Sequence, residues 1–228
     1  MPTRLSVVLS TFNRAASLRR ALAALLDQSA DPDVYEIVVV DNNSTDDTAA
    51  AVASRPDPRL RLVREPRQGL SFARNTGIAA SRGEVIAFTD DDVEVQRDWV
   101  ERLLAVLDDV PEAEGAGGRV LPRWELPPPA WLTREHWAPL ALQDHGAARR
   151  MFDLSSPLGL VGANLALRRT VFDRIGTFAP DVQRVGDAVG STEDHELLSR
   201  LYAAGGRMVY EPGAVVFAPV QPERCELA

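Results

Sequence analysis

The segment Val85-Ile86-Ala87-Phe88-Thr89-Asp90-Asp91-Asp92 decides how the chain is read: five β-prone residues run without a turn into three consecutive carboxylates. A short apolar run with no polar alternation suits a strand covered on both faces, as in the parallel sheets of α/β proteins. Ligands of such sheets bind outside the carboxyl ends of the strands, so the three aspartates fall where a binding site is expected. Adjacent carboxylates repel one another unless a cation or water neutralises them. An oxygen-rich, partly hydrated group of this kind suits Mg2+ or Mn2+ bridging protein and phosphate oxygens. Taken alone, the triplet fits equally well a solvated turn with an acidic cap on the helix that starts near Arg97.

The residues upstream repeat the same alternation of β-rich and helical segments, which predicts an α/β fold with a mainly parallel central sheet flanked by helices. Leu5-Ser6-Val7-Val8-Leu9 predicts a first strand, and Leu18, Ala21, Leu22, Leu25 and Leu26 then recur at helical spacing. Glu36-Ile37-Val38-Val39-Val40 predicts a second strand ending at Asp41. Ser44 and Asp47 stand at capping-box spacing before a short helix through Ala49 to Ala53. Leu60-Arg61-Leu62-Val63 predicts a third strand, and Gly69 precedes a helix from about Leu70 to Ser81 that Gly83 closes. After the aspartates, Trp99, Val100, Leu103, Leu104 and Leu107 mark another amphipathic helix.

Further along, Pro122 to Pro139 holds three of the four tryptophans and the run Pro127-Pro128-Pro129, so it reads as a loop lying over the site. Val161 to Leu167 predicts a strand, Glu193 to Ala204 a helix, and Arg207 to Tyr210 and Ala214 to Phe217 two closing strands. No internal repeat is present. The expectation is a single domain over 1–228.

Composition narrows the partners. Thirty-three acidic against twenty-five basic residues leave a net charge of -8, which opposes binding to nucleic-acid phosphates. A phosphate-bearing ligand therefore needs local help from a metal ion or a few placed arginines. The lone Cys225 forms no intrachain disulfide, the stretch from Met1 to Leu9 is too short for a signal peptide, and no apolar run reaches the ~20 residues of a membrane span. A cytoplasmic location is the expectation.

The first two strand ends sharpen the reading. Ser10-Thr11-Phe12-Asn13-Arg14 and Asp41-Asn42-Asn43-Ser44 give polar tips at neighbouring positions of one sheet edge, suited to holding a base and a ribose. A dinucleotide-binding domain needs a glycine-rich turn after strand one, and Ser10 to Arg14 contains no glycine. A sugar nucleotidyltransferase would show a glycine-rich loop and a lysine there, and lysine is absent from the whole chain.

From Leu5 to about Val220 the sequence resembles family 2 of the inverting glycosyltransferases, with their GT-A fold, a Rossmann-related sandwich. The matching pieces are Val8 to Arg14, Val39 to Asp46, Gly69 to Ile78, Phe88 to Asp92, Gly162-Ala163-Asn164 and Glu193-Asp194-His195-Glu196-Leu197, in that order. The resemblance implies transfer of a sugar from a nucleotide-diphosphate donor, UDP or dTDP favoured, to an acceptor hydroxyl, assisted by Mn2+ or Mg2+. It implies a nucleotide-sugar-binding half over 1–95 and an acceptor-side half over 96–228.

By the same resemblance Thr11 and Asp41 would contact the nucleobase, with Phe12, Arg14 and Asn43 beside them and Arg74 close to the nucleotide. Asp90 would approach the ribose with Asp91 alongside. Asp92 would be the principal metal ligand of an Asp-x-Asp pattern, shared with Asp90, the triplet leaving the register open by one. Asp194 would be the catalytic base and Glu193 its substitute. A carboxylate there would take the acceptor proton; helix N-capping is the structural alternative. Gly162, Ala163 and Asn164 would line the sugar pocket, with Trp124 and its loop over the acceptor. His195 is expected to be a solvated helix residue. Where many relatives carry a histidine near the last strand, Val215 to Val220 offers none, leaving water in that position, weaker metal binding or a sugar-nucleotide-binding protein without activity as alternatives. The acceptor, whether glycan, lipid-linked or small molecule, and the oligomeric state are not specified, and peripheral association with the inner face of a membrane is left open.

Overall fold

The structure, a computed structural model, describes residues 2–157, 159–182 and 193–225. Met1 and the side chain of Cys225 lie outside the described part. The first strands are β1 (Leu5–Thr11), β2 (Tyr35–Asp41), β3 (Leu60–Arg64) and β4 (Val85–Asp90). They pair in parallel in the order β3-β2-β1-β4. Their alternation sorts side chains onto two faces: Leu5, Val7, Leu9, Ile37, Val39 and Ala87 enter one core cluster, and Val8, Val38, Val40, Ile86 and Phe88 the other. Both faces are covered, which is why these strands read as continuous apolar runs.

Helix α1 (Ala15–Leu26) joins the first cluster through Leu18, Ala21, Leu22 and Leu25, whereas α3 (Leu70–Ala80) joins the second through Ala73 and Ile78. The connections after β1 and after β3 therefore leave opposite faces of the sheet, which opens a crevice at the carboxyl ends of β1 and β4. The small helix α2 (Thr48–Ala53) lies on the same face as α1, joining the first cluster through Ala51 and Val52. Its cap differs from the expected box. Asp46 accepts bonds from the Thr48 and Ala15 amides, both at 3.0 Å, serving α2 and α1 together, while the Ser44 hydroxyl is taken by the Asn13 amide.

The sheet continues past β4 through β8 (Leu165–Arg168), β6 (Gly115–Trp124), β9 (Met208–Val220) and β5 (Glu94–Val95), with β7 (Arg150–Phe152) also on β9. Here pairings are mixed: β8 is antiparallel to β4 and β6, and β9 is parallel to β6. Among the described residues one nine-stranded sheet thus forms, covered on one side by α1 and α4 (Trp99–Asp109) and on the other by α3, α5 (Arg169–Ile175) and α6 (Glu193–Ala203).

Four expectations change. The two closing strands are one, since Glu211-Pro212-Gly213 is absorbed where the β6–β9 register shifts between Gly117 and Arg119. The strand expected over Val161 to Leu167 starts only at Leu165, because Gly162–Asn164 forms a 3-10 turn. Helix α3 ends at Ala80, with Ser81 extended, and Gly83 instead lies against the backbone of Leu5 and Ser6. The tryptophan segment begins inside β6, so Pro122 and Trp124 are paired strand residues, opposite Ala218 and Val220.

Candidate active site

The three strand tips meet because the register places them together: Thr11 lies beside Asp41, and Ser10 beside Asp90. The loops beyond them are held by asparagines. Asn13 and Asn43 adopt positive φ, 53° and 71°, a conformation that asparagine tolerates better than most residues. Asn13 Oδ1 accepts the Thr45 amide at 2.7 Å, tying the tip of β1 to that of β2. Asp41 Oδ1 accepts the Ser44 amide at 2.8 Å. Asn42 bonds the Glu65 and Arg67 carbonyls through Nδ2 and the Gly69 amide through Oδ1. Gly69, at φ 142°, turns the chain into α3 in a conformation that side chains rarely adopt.

Neighbouring spaces lie over this edge among the described residues. A pocket of about 340 Å³ is bounded by Thr11, Phe12, Asn42, Gly69 and Ala73. Ser10, Arg14, Leu70 and Asp91 border both it and a cavity of about 540 Å³. The larger space is faced by the three aspartates on one side and by Arg74, Glu193, Asp194 and His195 on the other.

The aspartates divide their work. Asp91 is buried and accepts from the Thr11 hydroxyl at 2.7 Å and from Arg14 at 3.3 Å. Burial raises its carboxyl above the usual range, opposed by those two partners. Asp92 receives Arg14 at 2.7 Å. Burial acts to lower the Arg14 pKa, but Asp91 and Asp92 outweigh it and the net shift is upward. Asp90 keeps 42% of its side chain open to the cavity, with Arg74 at 3.8 Å. It nevertheless sits deep among protein atoms, and that burial, with Asp92, Asp194 and Asp91 adding repulsion and Arg74 opposing, pushes it up to about 7. Asp90 and Asp92 thus present hard oxygen ligands to the cavity, while both Asp91 oxygens already have partners. Among the described residues no third His, Cys, Asp or Glu completes a closed cluster. That donor set fits a Mg2+-like ion held by one or two carboxylates, with water and substrate phosphate filling its shell.

The acid pair opens α6, where negative side chains face the positive end of the helix. Glu193 and Asp194 are buried, and Arg74 from α3 reaches them across 120 residues of sequence: NH1 lies 2.6 Å from Asp194 Oδ1 and 3.4 Å from Glu193 Oε1. Burial acts to lower the Arg74 pKa, and Asp194, Asp90 and Glu193 together raise it. The other Asp194 oxygen accepts the Gly162 amide at 2.9 Å. A Cβ on Gly162 would stand 2.4 Å from that oxygen and 2.5 Å from Arg74, so this position admits only glycine without displacement.

Several expected residues fall elsewhere. Asn164 is fully buried away from the cavity lining; its amide accepts Trp99 Nε1 at 2.8 Å and donates to the Arg119 and Ala214 carbonyls, bolting α4 to the β6–β9 irregularity. Trp124 packs against the core, as does Trp137, and the loop lines the cavity through Ala138 to Ala141 instead. Asn43 accepts from Arg64 at 3.2 Å, and it is Asn42 that borders the smaller pocket. Arg74 borders the larger cavity, not the smaller one. Ala163 lines the larger cavity. His195, exposed as expected, also faces it and lies against Gly159. Asn13 and Asn42 were read from sequence only as part of the polar strand tips and His195 only as a solvated residue, although an asparagine just past a strand end is itself a signal for left-handed backbone and local hydrogen bonding.

A crevice at the switch between β1 and β4, edged by carboxylates within a sheet that turns from parallel to mixed, is the architecture of the GT-A fold. Residues 6–176 match the family model described as glycosyl transferase family 2, and the chain belongs to that family. It is 26% identical over 216 residues to the glucosyl-dolichyl phosphate glucuronosyltransferase of Haloferax volcanii, covering 93% of this chain and 68% of that one. It is 32% identical to the succinoglycan biosynthesis protein ExoO of Rhizobium meliloti, over 91% of this chain and 58% of that one. S. aureus TarS 1-349, solved in complex with UDP-GlcNAc, shares the fold with a TM-score of 0.74 at 18% identity, covering 96% of this chain and 59% of the other. The chain therefore spans about six- to seven-tenths of the length of these relatives. Among the described residues no helix is long and apolar enough to cross a membrane.

Proposed function

We propose that this chain moves a sugar from a nucleotide-diphosphate donor to an acceptor hydroxyl with inversion at the anomeric carbon. The observation that carries the reading is that the Asp90-Asp91-Asp92 rim and the Glu193-Asp194 pair face one cavity, which shares Ser10, Arg14, Leu70 and Asp91 with a smaller pocket at the tips of β1 and β2. The base would occupy the pocket around Thr11, Phe12 and Asn42, with Arg14 between it and the diphosphate; Asp90 would face the ribose. UDP is the favoured nucleotide, dTDP the next. The domain would divide into a donor half over 1–95 and an acceptor-side half over 96–228.

Asp194 serves as general base, taking the acceptor proton while that oxygen attacks the anomeric carbon and the carbon–phosphate oxygen bond breaks, releasing nucleoside diphosphate. Glu193 is the substitute. Asp92 and Asp90 would hold Mn2+ or Mg2+, which when bound supplies charge stabilisation to the leaving diphosphate. Arg14 adds positive charge at the same rim and must share Asp92 with the ion. The acceptor would enter beside Pro139 and Leu140. A lipid-linked sugar acceptor agrees with the name of the Haloferax relative, and it would bring the chain to a membrane surface from the cytoplasmic side.

The test is release of nucleoside diphosphate from UDP- and dTDP-sugars with Mn2+ and an acceptor panel. Turnover that Asp194→Asn lowers by about 10²-fold or more supports the reading. Full turnover in that variant removes Asp194 as base, and nucleotide-sugar binding without any release supports a binding protein instead.

A further inference from the structure

The family resemblance assigns Arg74 to the nucleotide, but its surroundings point to another task. Arg74 is 4% exposed and does not border the pocket assigned to the base, which is walled there by Gly69 and, on α3, by Leu70 and Ala73. Its shortest contact is to Asp194, at 2.6 Å, and the opposite Asp194 oxygen is held by the Gly162 amide at 2.9 Å. Asp194 is thereby fixed at both oxygens, one donor from α3 and one from the 3-10 turn before β8.

The guanidinium itself has a seat made by the protein. Its carbon lies 5.1 Å from the centre of the Phe178 ring, over the face that attracts cations. Phe178 is clamped by the next residue of α3: Asn75 Nδ2 donates to the Phe178 carbonyl at 2.8 Å, and Asn75 Oδ1 accepts the Phe178 amide at 3.0 Å. Phe88, from β4, braces the same ring edge-on at 5.2 Å. Among the described residues, the link of Arg74 to the donor end is the 3.8 Å approach to Asp90 across the cavity that both residues line.

We propose that Arg74 is a positioning residue for the base: it orients the Asp194 carboxylate for the acceptor, with Phe178 and Gly162 as its supports, and contributes little to nucleotide binding. This rests on the reading of Asp194 as base. A carboxylate misplaced by about 1 Å costs on the order of 10²-fold in rate, so loss of the guanidinium lowers kcat, whereas the nucleotide pocket is untouched.

The experiment compares Arg74→Met, Arg74→Lys and Phe178→Leu with the parent, measuring kcat at saturating donor, donor KM and UDP affinity by calorimetry. The expected result is a kcat lowered about 10²-fold in Arg74→Met, less in Arg74→Lys, which returns the charge without the planar fork, and about tenfold in Phe178→Leu, with UDP affinity within about threefold throughout. Retained UDP affinity separates this from loss of fold; should Arg74→Met not fold, Phe178→Leu, which keeps every charge, decides the matter. A loss confined to UDP affinity or donor KM, or an unchanged kcat, overturns the proposal. If Asp194→Asn keeps full turnover, it is the base assignment that fails, whatever the Arg74 variants do.

Discussion

Asp90 stands between the chemistry of the rim and the stability of the fold. Its carboxyl is pushed from an ordinary value of 3.8 to about 7, so between those two pH values the folded protein binds a proton that the unfolded chain does not. Stability contributed through Asp90 is therefore present at low pH and lost as pH rises towards 7. Replacing it with the neutral isostere should stabilise the protein where the wild type is ionised and leave it unchanged near pH 4. We expect Asp90→Asn to raise Tm by about 2–4 °C at pH 8, a modest figure because the open side of the cavity screens the charge. An equal shift at pH 4 and pH 8 would show that the Asp90 charge is not the cause. Such a gain at the expense of activity is the usual trade where carboxylates are crowded for function.

At the scale of elements, the connection from β3 to α3 carries the wall of the smaller pocket, and Glu65 organises it. Its carboxylate accepts the Arg67 amide and guanidinium and the Thr76 hydroxyl, while Arg67 covers the Phe72 ring at 4.6 Å. The Arg67 side chain first, and Thr76 next, bring Glu65 down to about 2. A lowered carboxyl stabilises the fold above its unfolded value of 4.5, and that contribution disappears as pH falls towards about 2. Glu65→Gln should cost about 1 kcal/mol at pH 7, a Tm lower by about 2–4 °C, and should flatten the acid limb of the stability profile below pH 4.5. Chemical denaturation at pH 3 and pH 7 checks this; an equal deficit at both would sink the assignment. Because Asn42 holds the Glu65 and Arg67 carbonyls, the same variant should also weaken nucleotide binding.

For the molecule as a whole, the proposed nucleotide site is made from strand tips that exist together only in the folded sheet, so its occupancy should report directly on folding. A ligand that binds only the native state at about 100 times its Kd adds ~2.7 kcal/mol, or roughly 5–10 °C in Tm for a chain of this length. We expect UDP- or dTDP-sugars with Mn2+ to give a shift of that order, and Asp92→Ala to remove the metal-dependent part. No response to any nucleotide sugar would overturn the nucleotide site.

By itself the sequence determined what depends on local pattern. Apolar runs marked β1, β2 and β4, helical spacing marked α1 and α4, Gly69 marked the start of α3, and the polar residues after each strand marked the rim, because burial on two faces and helical periodicity leave their trace in consecutive residues. The acid pair was picked out by the family resemblance, since local pattern alone reads it as a helix N-cap. Where local signals were weak or misleading, the reading failed. Gly115-Ala116-Gly117-Gly118 has little β propensity yet forms β6, because it is the neighbours β8 and β9 that supply its pairing. Glu211-Pro212-Gly213 reads as a turn yet lies within β9. Only the tertiary structure decided that Arg74 meets Asp194, that Gly162 supplies both an amide and the room for that pair, and that Asn164 is a structural bolt. Those contacts join segments 32 to 120 residues apart, and the partner of a buried charge is chosen by where the folded sheet brings the two segments together, a relation that no spacing along the sequence encodes.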